Sequence, residues 1–266
     1  MIKAAVLGSP IAHSLSPMLH RAAYQYLGVS GDYVAIEVKA SELKSFISSC
    51  GPEWIGFSLT MPLKEEALLI ADQIDPLVRR IASGNTLVRS DGRWALSSTD
   101  VTGFQAALFH NGVTSFSSVL IIGSGATARA VAAACDRAGA EITVVHRSPS
   151  RETGMNKSVT KASIKFMNWD SSLDLHSYDL VVNTTPAGVA DIFADKILNC
   201  PSGFLFDVIY SPWPTMLAAQ WPGAVIPGIE LLIFQAIDQV ALMLNREIDR
   251  PGVHASMRAA IEGMPK

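Results

Sequence analysis

Residues 118–147, SVLIIGSGATARAVAAACDRAGAEITVVHR, constrain the fold more than any other part of the chain. A short β-rich run ends in a glycine turn at Gly123 and Gly125, an alanine-rich helical segment follows, and a second apolar run covers 142–145. This order predicts a βαβ unit whose helix presents its first backbone N–H groups to a bound anion. Gly125 lets the backbone approach a pyrophosphate, so we predict a dinucleotide site; the alternative is a tight turn that binds nothing.

The residues after the second of these strands bear on the choice of cofactor. An NAD site usually has Asp or Glu at this point, to accept hydrogen bonds from the ribose 2′-hydroxyl. This chain has Arg147 there, with Arg151 four residues further on. Two guanidinium groups would instead neutralise a 2′-phosphate, so the sequence predicts NADP(H) as the cofactor.

Composition excludes several classes of protein. The chain has 266 residues, 49% of them hydrophobic, which is enough to bury the cores of two domains. The net charge of −3 and the pI of about 6.1 argue against an electrostatic nucleic-acid binder. Cys50, Cys135 and Cys200 are far apart and odd in number, which suits a reducing compartment, and no Cys/His spacing resembles a metal site.

The distribution of apolar residues bears on location and partners. The N-terminus, MIKAAVLGSP, turns polar after seven residues, too soon for the apolar region of a signal peptide. The most apolar predicted helix, near 229–244, carries Glu230, Gln235, Asp238 and Gln239, so it is not a membrane span. We therefore expect a cytoplasmic protein that binds neither nucleic acid nor membrane. A monomeric or homodimeric state and a small-molecule substrate are separate expectations, which this pattern does not give.

Strand and helix signals alternate along most of the chain, which predicts an α/β fold with a mostly parallel sheet and crossover helices. Asp91-Gly92 is the signal of a two-residue hairpin turn. Strands are predicted at 2–7, 33–38, 54–59, 86–89, 94–97, 119–122, 142–145, 164–166, 180–183, 204–208 and 224–226. Helices are predicted at 16–27, 41–48 and 62–70, from about 100, after the glycine turn, and at 229–245 and 251–262.

Two serines follow the first predicted strand, where the helix at 16–27 begins. Hydroxyl groups at Ser14 and Ser16, beside a helix N-terminus, would suit a substrate carboxylate. Ser16 followed by Pro17 is also the pattern of an N-cap and a first helical residue. The local sequence therefore leaves open whether Ser16 binds substrate or only caps the helix.

Lys64 and Asp100 also lie at predicted helix starts. With Pro62 as the first helical residue, Lys64 falls in the first turn, where the macrodipole repels a cation by roughly 0.3–1 kcal/mol. A lysine held against that field is a candidate proton shuttle, although an exposed lysine without a role fits equally well. Asp100 is either part of such a site or an N-cap. Ligands of open α/β sheets gather beyond the carboxyl ends of strands, where these polar junctions lie.

Nine motifs, taken in order, make the chain similar to the shikimate dehydrogenases. They are GSPIAHSLSP, TMPLK, SGNTL, the Thr99-Asp100 pair, GSGATARA, the His-Arg-Ser-Pro-Ser-Arg cluster, NTTPAG, DVIYSPWPT and GIELLIFQA. The resemblance implies two domains with the active site in the cleft between them. The substrate domain, 1–101 and 229–266, has a mostly parallel sheet and includes the returning C-terminal helices. The Rossmann NADP(H)-binding domain covers 102–228.

The resemblance also implies roles for individual residues. Lys64 and Asp100 match the catalytic pair of the family. Substrate binding is implied for Ser14 and Ser16, aided by Tyr210 at the carboxylate, and for Thr60, Asn85, Asp100 and Gln235 at the ring hydroxyls. Cofactor binding is implied for the phosphate turn, the 2′-phosphate cluster and the rest of the nucleotide cleft: Gly123, Ser124, Gly125, Ala126, Thr127, Arg147, Ser148, Arg151, Asn183, Val208 and Gly228.

The implied activity is hydride transfer between NADPH and 3-dehydroshikimate, with a lysine/aspartate proton relay, in aromatic amino acid precursor biosynthesis. Ser58 and Ser98 stand where the family usually has asparagine, so the recognition of ring hydroxyls can differ. Ala126, Thr127 and Leu231 also depart from the usual residues. Three other interpretations stay open: a quinate/shikimate dehydrogenase or paralogue acting on another cyclic hydroxy acid, a non-catalytic NADP-binding regulator, and an enzyme resembling methylenetetrahydrofolate dehydrogenase.

Overall fold

The computed structural model describes residues 1–169, 173–197 and 203–264. The chain folds into two structural units. The first unit contains residues 1–103 and the described residues from 232 onwards, and the second contains residues 104–231. The boundaries predicted from the sequence lie after 101 and 228.

The first unit is built around a mixed sheet, and its elements follow one another closely. In chain order they are β1 (Ile2–Gly8), α1 (Ser16–Tyr26), β2 (Gly31–Glu37), α2 (Leu43–Ser49), β3 (Trp54–Leu59), α3 (Leu63–Glu66), β4 (Gln73–Ile74), α4 (Pro76–Ile81), β5 (Thr86–Ser90), β6 (Arg93–Ser97) and α5 (Asp100–His110). The strand order among the described residues is β2-β1-β3-β5-β6-β4. β1 pairs in parallel with β2 and β3, whereas β3–β5 and β5–β6 are antiparallel.

Local sequence explains the main features of this sheet. The run 4–7 of β1 is buried throughout, as expected for a parallel strand that is covered on both faces. The hairpin between β5 and β6 turns at Asp91 and Gly92, whose φ angles are 50° and 76°. A two-residue turn of this kind needs positive φ at both central positions, so the predicted hairpin is confirmed.

The predicted helix at 62–70 is wrong in its extent. Pro62 precedes the helix, α3 contains only Leu63–Glu66, and a 3-10 turn over Ala67–Leu69 follows. A one-turn helix has no separate N-terminal end, because its first and last turns coincide. The macrodipole therefore does not act on Lys64 as predicted. The electrostatic environment of this lysine is instead determined by its tertiary contacts.

β4 and α4 are absent from the sequence-based prediction. A signal for α4 is present, since Asp75 precedes Pro76 in the manner of an N-cap followed by a first helical proline. In the structure the Asp75 side chain accepts a hydrogen bond from the backbone N–H of Leu77 at 2.7 Å. Both β4 and α4 are too short to give a periodic apolar pattern.

Replacing Asp75 by alanine is expected to lower the free energy of unfolding by about 1 kcal/mol, because one N–H group of α4 loses its acceptor. Urea denaturation of the purified protein measures the change. Asp75→Asn keeps an acceptor in the same place and serves as the matched control. Equal stability of Asp75→Ala and the wild type would contradict the capping role.

The second unit is an α/β unit with a parallel sheet. Its elements, and the two helices that end the described chain, are β7 (Ser118–Ile122), α6 (Ala126–Ala134), β8 (Glu141–His146), α7 (Glu152–Ser158), β9 (Ser163–Asn168), β10 (Leu180–Asn183), β11 (Phe204–Asp207), α8 (Met216–Gln220), β12 (Val225–Pro227), α9 (Gly228–Leu244) and α10 (Arg250–Glu262). The strand order is β12-β11-β10-β7-β8-β9 among the described residues. The first strand in sequence, β7, thus lies between β8 and β10, which is the doubly wound order of dinucleotide-binding sheets.

The two-domain α/β fold class predicted from the sequence is confirmed, as are the strands of the second sheet. α7 and α8 are additional short helices that the sequence-based prediction lacks. Within the described residues, every helix is too short or too polar to cross a bilayer. Cys50 and Cys135 are free thiols, and Cys200 lies outside the described residues.

Candidate active site

Lys64 and Asp100 form an ion pair in the first unit. The Lys64 Nζ atom lies 2.6 Å from Asp100 Oδ2, and the two side chains are 16% and 7% exposed. The backbone carbonyl of Lys64 accepts a hydrogen bond from the backbone N–H of Gly84 at 2.9 Å, which ties α3 to the turn before β5. A shielded ammonium group held on a carboxylate can donate a proton and can stabilise a developing oxyanion.

Asn85 brings a third polar group to this pair. Its Nδ2 atom donates to Asp100 Oδ1 at 2.9 Å, so the two carboxylate oxygens of Asp100 face different partners. Asn85 is only 2% exposed, and it lies in the turn between α4 and β5. Since a buried amide needs its donors and acceptors satisfied, the orientation of this side chain is defined by its neighbours.

The amide orientation of Asn85 follows from one obligatory donor. The backbone N–H of Thr99 lies 2.8 Å from Asn85 Oδ1 and can only donate. The oxygen must therefore face Thr99, which leaves the Nδ2 group to face Asp100. This geometry keeps one oxygen of Asp100 engaged and the other available to Lys64.

Gln235 joins the same group of side chains. Its Oε1 atom lies 3.3 Å from Asn85 Nδ2, while its own Nε2 donates to the Leu232 carbonyl at 2.7 Å. Gly103 permits the approach, because a Cβ atom at that position would lie 2.7 Å from the Gln235 backbone nitrogen. Four of the predicted residues, Lys64, Asn85, Asp100 and Gln235, thus lie together, and we call them the polar cluster.

The predicted serines lie at the start of α1, but Ser16 does not cap the helix. Leu15 occupies the N-cap position with helical backbone angles, so Ser16 is already the first helical residue. The Ser14 Oγ atom accepts the backbone N–H of Ser16 at 3.3 Å. The N-cap interpretation of Ser16 is therefore wrong.

Thr60 follows β3 and precedes α3. Its backbone N–H donates to the Leu7 carbonyl at 2.9 Å, which places it next to the end of β1. A Cβ atom at Gly8 would lie 2.4 Å from the Thr60 Cγ2 atom, so a glycine is needed for this approach. Among the described residues no hydrogen bond joins the Thr60 hydroxyl to the polar cluster.

The glycine turn of the second unit has the predicted form. Gly123 has φ 110°, and a Cβ atom there would lie 2.6 Å from the Thr184 hydroxyl, so a side chain is excluded on both counts. Gly125 is the N-cap of α6, which begins at Ala126. Ser124, Ala126 and Thr127 are half-buried in the same turn. The first backbone N–H groups of α6 therefore lie at the carboxyl end of β7, where the dinucleotide motif requires them.

The basic cluster after β8 lies near this turn. The Arg151 Nη1 atom is the nearest atom to the position of a Cβ added at Gly125, at 3.7 Å. Arg147, Ser148 and Arg151 are all exposed, and the Arg147 guanidinium stacks over the Trp169 ring at 5.4 Å from its centroid. Two exposed cationic side chains thus follow β8, as the prediction of a 2′-phosphate site requires.

Asn183 is buried, and its side chain is used inside the second unit. Its Nδ2 atom donates to Asp207 Oδ1 at 3.0 Å, and its Oδ1 atom accepts from the hydroxyl of Thr185 at 2.7 Å. Burial raises the pKa of Asp207, against the opposing effect of hydrogen bonds from Thr215, Ile209 and Asn183. These bonds hold the carboxyl ends of β10 and β11 together.

Val208, Tyr210 and Gly228 lie beyond the carboxyl end of β11 in the second unit. A Cβ atom at Gly228 would lie 2.1 Å from the Val208 carbonyl oxygen, so only glycine allows α9 to begin there. Tyr210 is half-buried, and burial raises the pKa of its hydroxyl group. Lys64 and Asp100 lie in the first unit and these three residues in the second.

Sequence reasoning overlooks the residues that hold Asn85 in place. Thr99 donates to Asn85 Oδ1 from its backbone, and Thr86 does so from its hydroxyl group at 2.8 Å. Gln239 contacts the backbone of Asn85 from α9, one helical turn after Gln235. Thr86 and Thr99 belong to motifs of the family resemblance, whereas the signal for Gln239 is the i, i+4 spacing of the two glutamines, which puts them on one helix face.

Comparison with known proteins assigns the family. Residues 6–87 match the model described as "Shikimate dehydrogenase substrate binding domain". The chain is 32% identical to the shikimate dehydrogenase (NADP(+)) of Nostoc sp., over 91% of this chain and 90% of the relative. The chain belongs to the shikimate dehydrogenase family.

Solved structures of the shikimate dehydrogenase family superpose on this chain. The Mycobacterium tuberculosis shikimate dehydrogenase has a TM-score of 0.88 at 37% identity, covering 97% of this chain and all of that one. The Thermus thermophilus shikimate 5-dehydrogenase, solved in complex with NADP(H) and shikimate, has a TM-score of 0.80 at 30% identity, over 98% and 100% of the two chains. The 5-ketofructose reductase of a Gluconobacter species gives 0.80 at 26% identity, over 97% and 98%.

Proposed function

We propose that this protein is an NADP-dependent oxidoreductase that interconverts 3-dehydroshikimate and shikimate. The observation that carries the proposal is the Lys64–Asp100 pair, held at 2.6 Å beside Asn85 and Gln235. Family membership supports the substrate and the cofactor, because relatives that match nearly the whole chain are NADP(+)-dependent shikimate dehydrogenases.

The second unit fits the cofactor. The backbone at Gly125 is open, since a Cβ atom there would meet nothing closer than Arg151 Nη1. The pyrophosphate would be held by the backbone of 123–127 at the start of α6, and the 2′-phosphate by Arg147, Ser148 and Arg151. NADPH, when bound, supplies the hydride that reduces the ring ketone.

Lys64 moves the proton in the proposed reaction. In reduction the Lys64 ammonium group donates a proton to the alkoxide oxygen that forms, and in oxidation the neutral amine accepts the hydroxyl proton. Asp100 orients the Lys64 side chain through its Oδ2 atom. The positive charge of Lys64 also stabilises the developing alkoxide in a site shielded from water.

A further group of predicted residues would bind the substrate. Ser14 and Ser16 would hold the carboxylate at the start of α1. Thr60, Asn85, Asp100 and Gln235 would hydrogen-bond the ring hydroxyls. Because buried hydrogen-bonding groups reject a ligand that leaves them unpaired, the polar cluster gives selectivity for a polyhydroxylated ring.

The test is an absorbance assay of shikimate oxidation by the purified protein, with NADP+ and NAD+ side by side. We expect saturable turnover with shikimate and a higher kcat/KM with NADP+ than with NAD+, because the two arginines favour the 2′-phosphate. Saturable NADPH binding without turnover of shikimate or any related hydroxy acid would favour a non-catalytic regulator instead.

A second candidate is a paralogue that reduces another polyhydroxylated ketone. Two observations favour it: the likeness to a 5-ketofructose reductase, and Ser58, whose hydroxyl is hydrogen-bonded within the protein. The same assay with quinate, and in the reducing direction with 5-ketofructose, separates the two. A kcat/KM for either compound above that for shikimate would replace the first proposal.

A further inference from the structure

A row of buried polar side chains runs through the first unit toward the polar cluster. Its members are His20 of α1, Tyr33 of β2, Ser58 of β3 and Gln239 of α9, and none is more than 4% exposed. We call them the buried polar row. Burial of so many polar groups is costly unless each is hydrogen-bonded, so the partner of each group matters.

The orientation of Gln239 follows from the backbone of Asn85. The Asn85 carbonyl oxygen can only accept, and it lies 3.3 Å from one terminal atom of Gln239, which must therefore be the Nε2 donor. The same Nε2 group lies 3.3 Å from the Thr86 hydroxyl. The Oε1 atom of Gln239 consequently faces Ser58, whose hydroxyl donates to it at 2.6 Å.

The rest of the row is arranged around this oxygen. Because the Ser58 proton is used on Gln239, Ser58 accepts from the Tyr33 hydroxyl at 2.5 Å. Burial raises the pKa of Tyr33, so this group stays a donor. His20 Nε2 lies 3.3 Å from Gln239 Oε1, and burial lowers the pKa of His20 to about 3, so a neutral imidazole donates from Nε2. The His20 ring also stacks on Tyr33, with centroids 3.8 Å apart.

The hydroxyl group of Thr86 links the side chains of Gln239 and Asn85 by hydrogen bonds. Its hydroxyl accepts from Gln239 Nε2, so its own proton is free to donate to Asn85 Oδ1 at 2.8 Å. Together with the backbone N–H of Thr99, it fixes the oxygen side of the Asn85 amide. The donor side then points to Asp100 Oδ1. The donors that link these side chains thus point the same way, from Tyr33 and His20 toward Asp100.

We propose that Gln239 is a positioning residue for the Lys64–Asp100 pair, acting through Thr86 and Asn85. Gln239 donates to the backbone carbonyl of Asn85 and, through Thr86, also orients the Asn85 side chain. Asn85 in turn donates to one oxygen of Asp100, and Lys64 donates to the other. This inference rests on the proposed function, because it concerns the rate of the same proton transfer. It also accounts for Ser58, whose hydroxyl orients Gln239.

The test replaces Gln239 by leucine, which fills a similar volume and removes every hydrogen bond of the side chain. We expect kcat for shikimate oxidation to fall about 10-fold, because small displacements of a catalytic group are costly. KM for NADP+ should stay within about 2-fold of the wild type, since the cofactor is assigned to the other unit. Met243→Ala, one turn along α9, is the matched control: it removes core packing outside the row and should leave kcat unchanged.

A double-mutant cycle with Thr86→Val separates positioning from general stability. If Gln239 acts through Thr86, the loss of kcat in the double variant should be clearly smaller than the product of the two single losses. If Gln239→Leu yields too little folded protein, Thr86→Val alone tests the same link. A fall in its kcat supports the positioning role, and an unchanged kcat contradicts it.

Three results would overturn parts of this proposal, and they are distinguishable. A folded Gln239→Leu protein with wild-type kcat overturns the positioning role, and so do losses of kcat that multiply independently. A wild-type protein that does not oxidise shikimate with NADP+ overturns the proposed function, and the positioning role of Gln239 with it.

Discussion

Replacing Lys64 by alanine is expected to lower kcat for shikimate oxidation by about 10²-fold or more, while the affinity for NADPH stays unchanged. The side chain is shielded, and its Nζ atom is held 2.6 Å from Asp100 Oδ2. Its loss removes both the proton acceptor and the charge that stabilises the alkoxide. Steady-state kinetics with shikimate, together with NADPH fluorescence titration, measure the two quantities separately.

The matched control for Lys64 is Lys44→Ala, which removes an exposed lysine of α2 in the same unit. It should leave kcat and binding as in the wild type. Lys64→Met, which retains much of the side-chain volume, should lose as much activity as Lys64→Ala if the ammonium group is what matters. A Lys64→Ala protein with nearly wild-type kcat would show that the proton takes another route.

The strongest local signals in the chain are also the ones that predict structure correctly. The glycine turn at Gly123 and the hairpin at Asp91-Gly92 both need positive φ angles, and both occur where the sequence indicates them. Backbone conformation at such positions is decided by one or two residues. It can therefore be predicted without knowledge of the surrounding fold.

Lys64 shows the limit of local reasoning. Its predicted surroundings require a helix long enough to have a separate N-terminal end, whereas α3 has only four residues. The lysine is positioned by Asp100, 36 residues away, and that contact is expected only from the family resemblance. Spacing along the chain carries no information about an ion pair between separate elements.

The support around Asn85 is still harder to see in the sequence. Gln239 lies 154 residues from Asn85, and nothing near either residue predicts that they meet. In the sequence, Ser58 is only a serine in place of the asparagine that is usual in the family. Its partners Tyr33 and Gln239 come from β2 and α9, so the sequence around Ser58 does not predict these hydrogen bonds. Side-chain networks of this kind depend on sheet order and helix packing, which the local pattern does not specify.

Replacing Arg147 by alanine is expected to weaken NADPH binding about 10- to 100-fold and to leave NADH binding nearly unchanged. We expect the same result for Arg151→Ala. The reason is that a charge-assisted hydrogen bond to a phosphate contributes about 1.5–3 kcal/mol, and NADH has no 2′-phosphate. Both side chains are exposed, and Arg151 lies beside the glycine turn, so a ligand can reach each of them. Fluorescence titration of each variant with both nucleotides gives the ratio of dissociation constants.

Salt and a matched control distinguish a phosphate contact from a general loss of positive charge. The effect of Arg147→Ala should shrink as ionic strength rises, because exposed charge pairs are screened. Lys165→Ala is the matched control, because it removes an exposed cation from the middle of β9, where Lys165 lies opposite Thr143 of β8. It should not change the ratio of the dissociation constants for NADPH and NADH. Equal weakening of NADPH and NADH by Arg147→Ala would mean that this arginine contacts a part of the nucleotide common to both. The preference for NADP(H) would then have to reside in Ser148 and Arg151 alone.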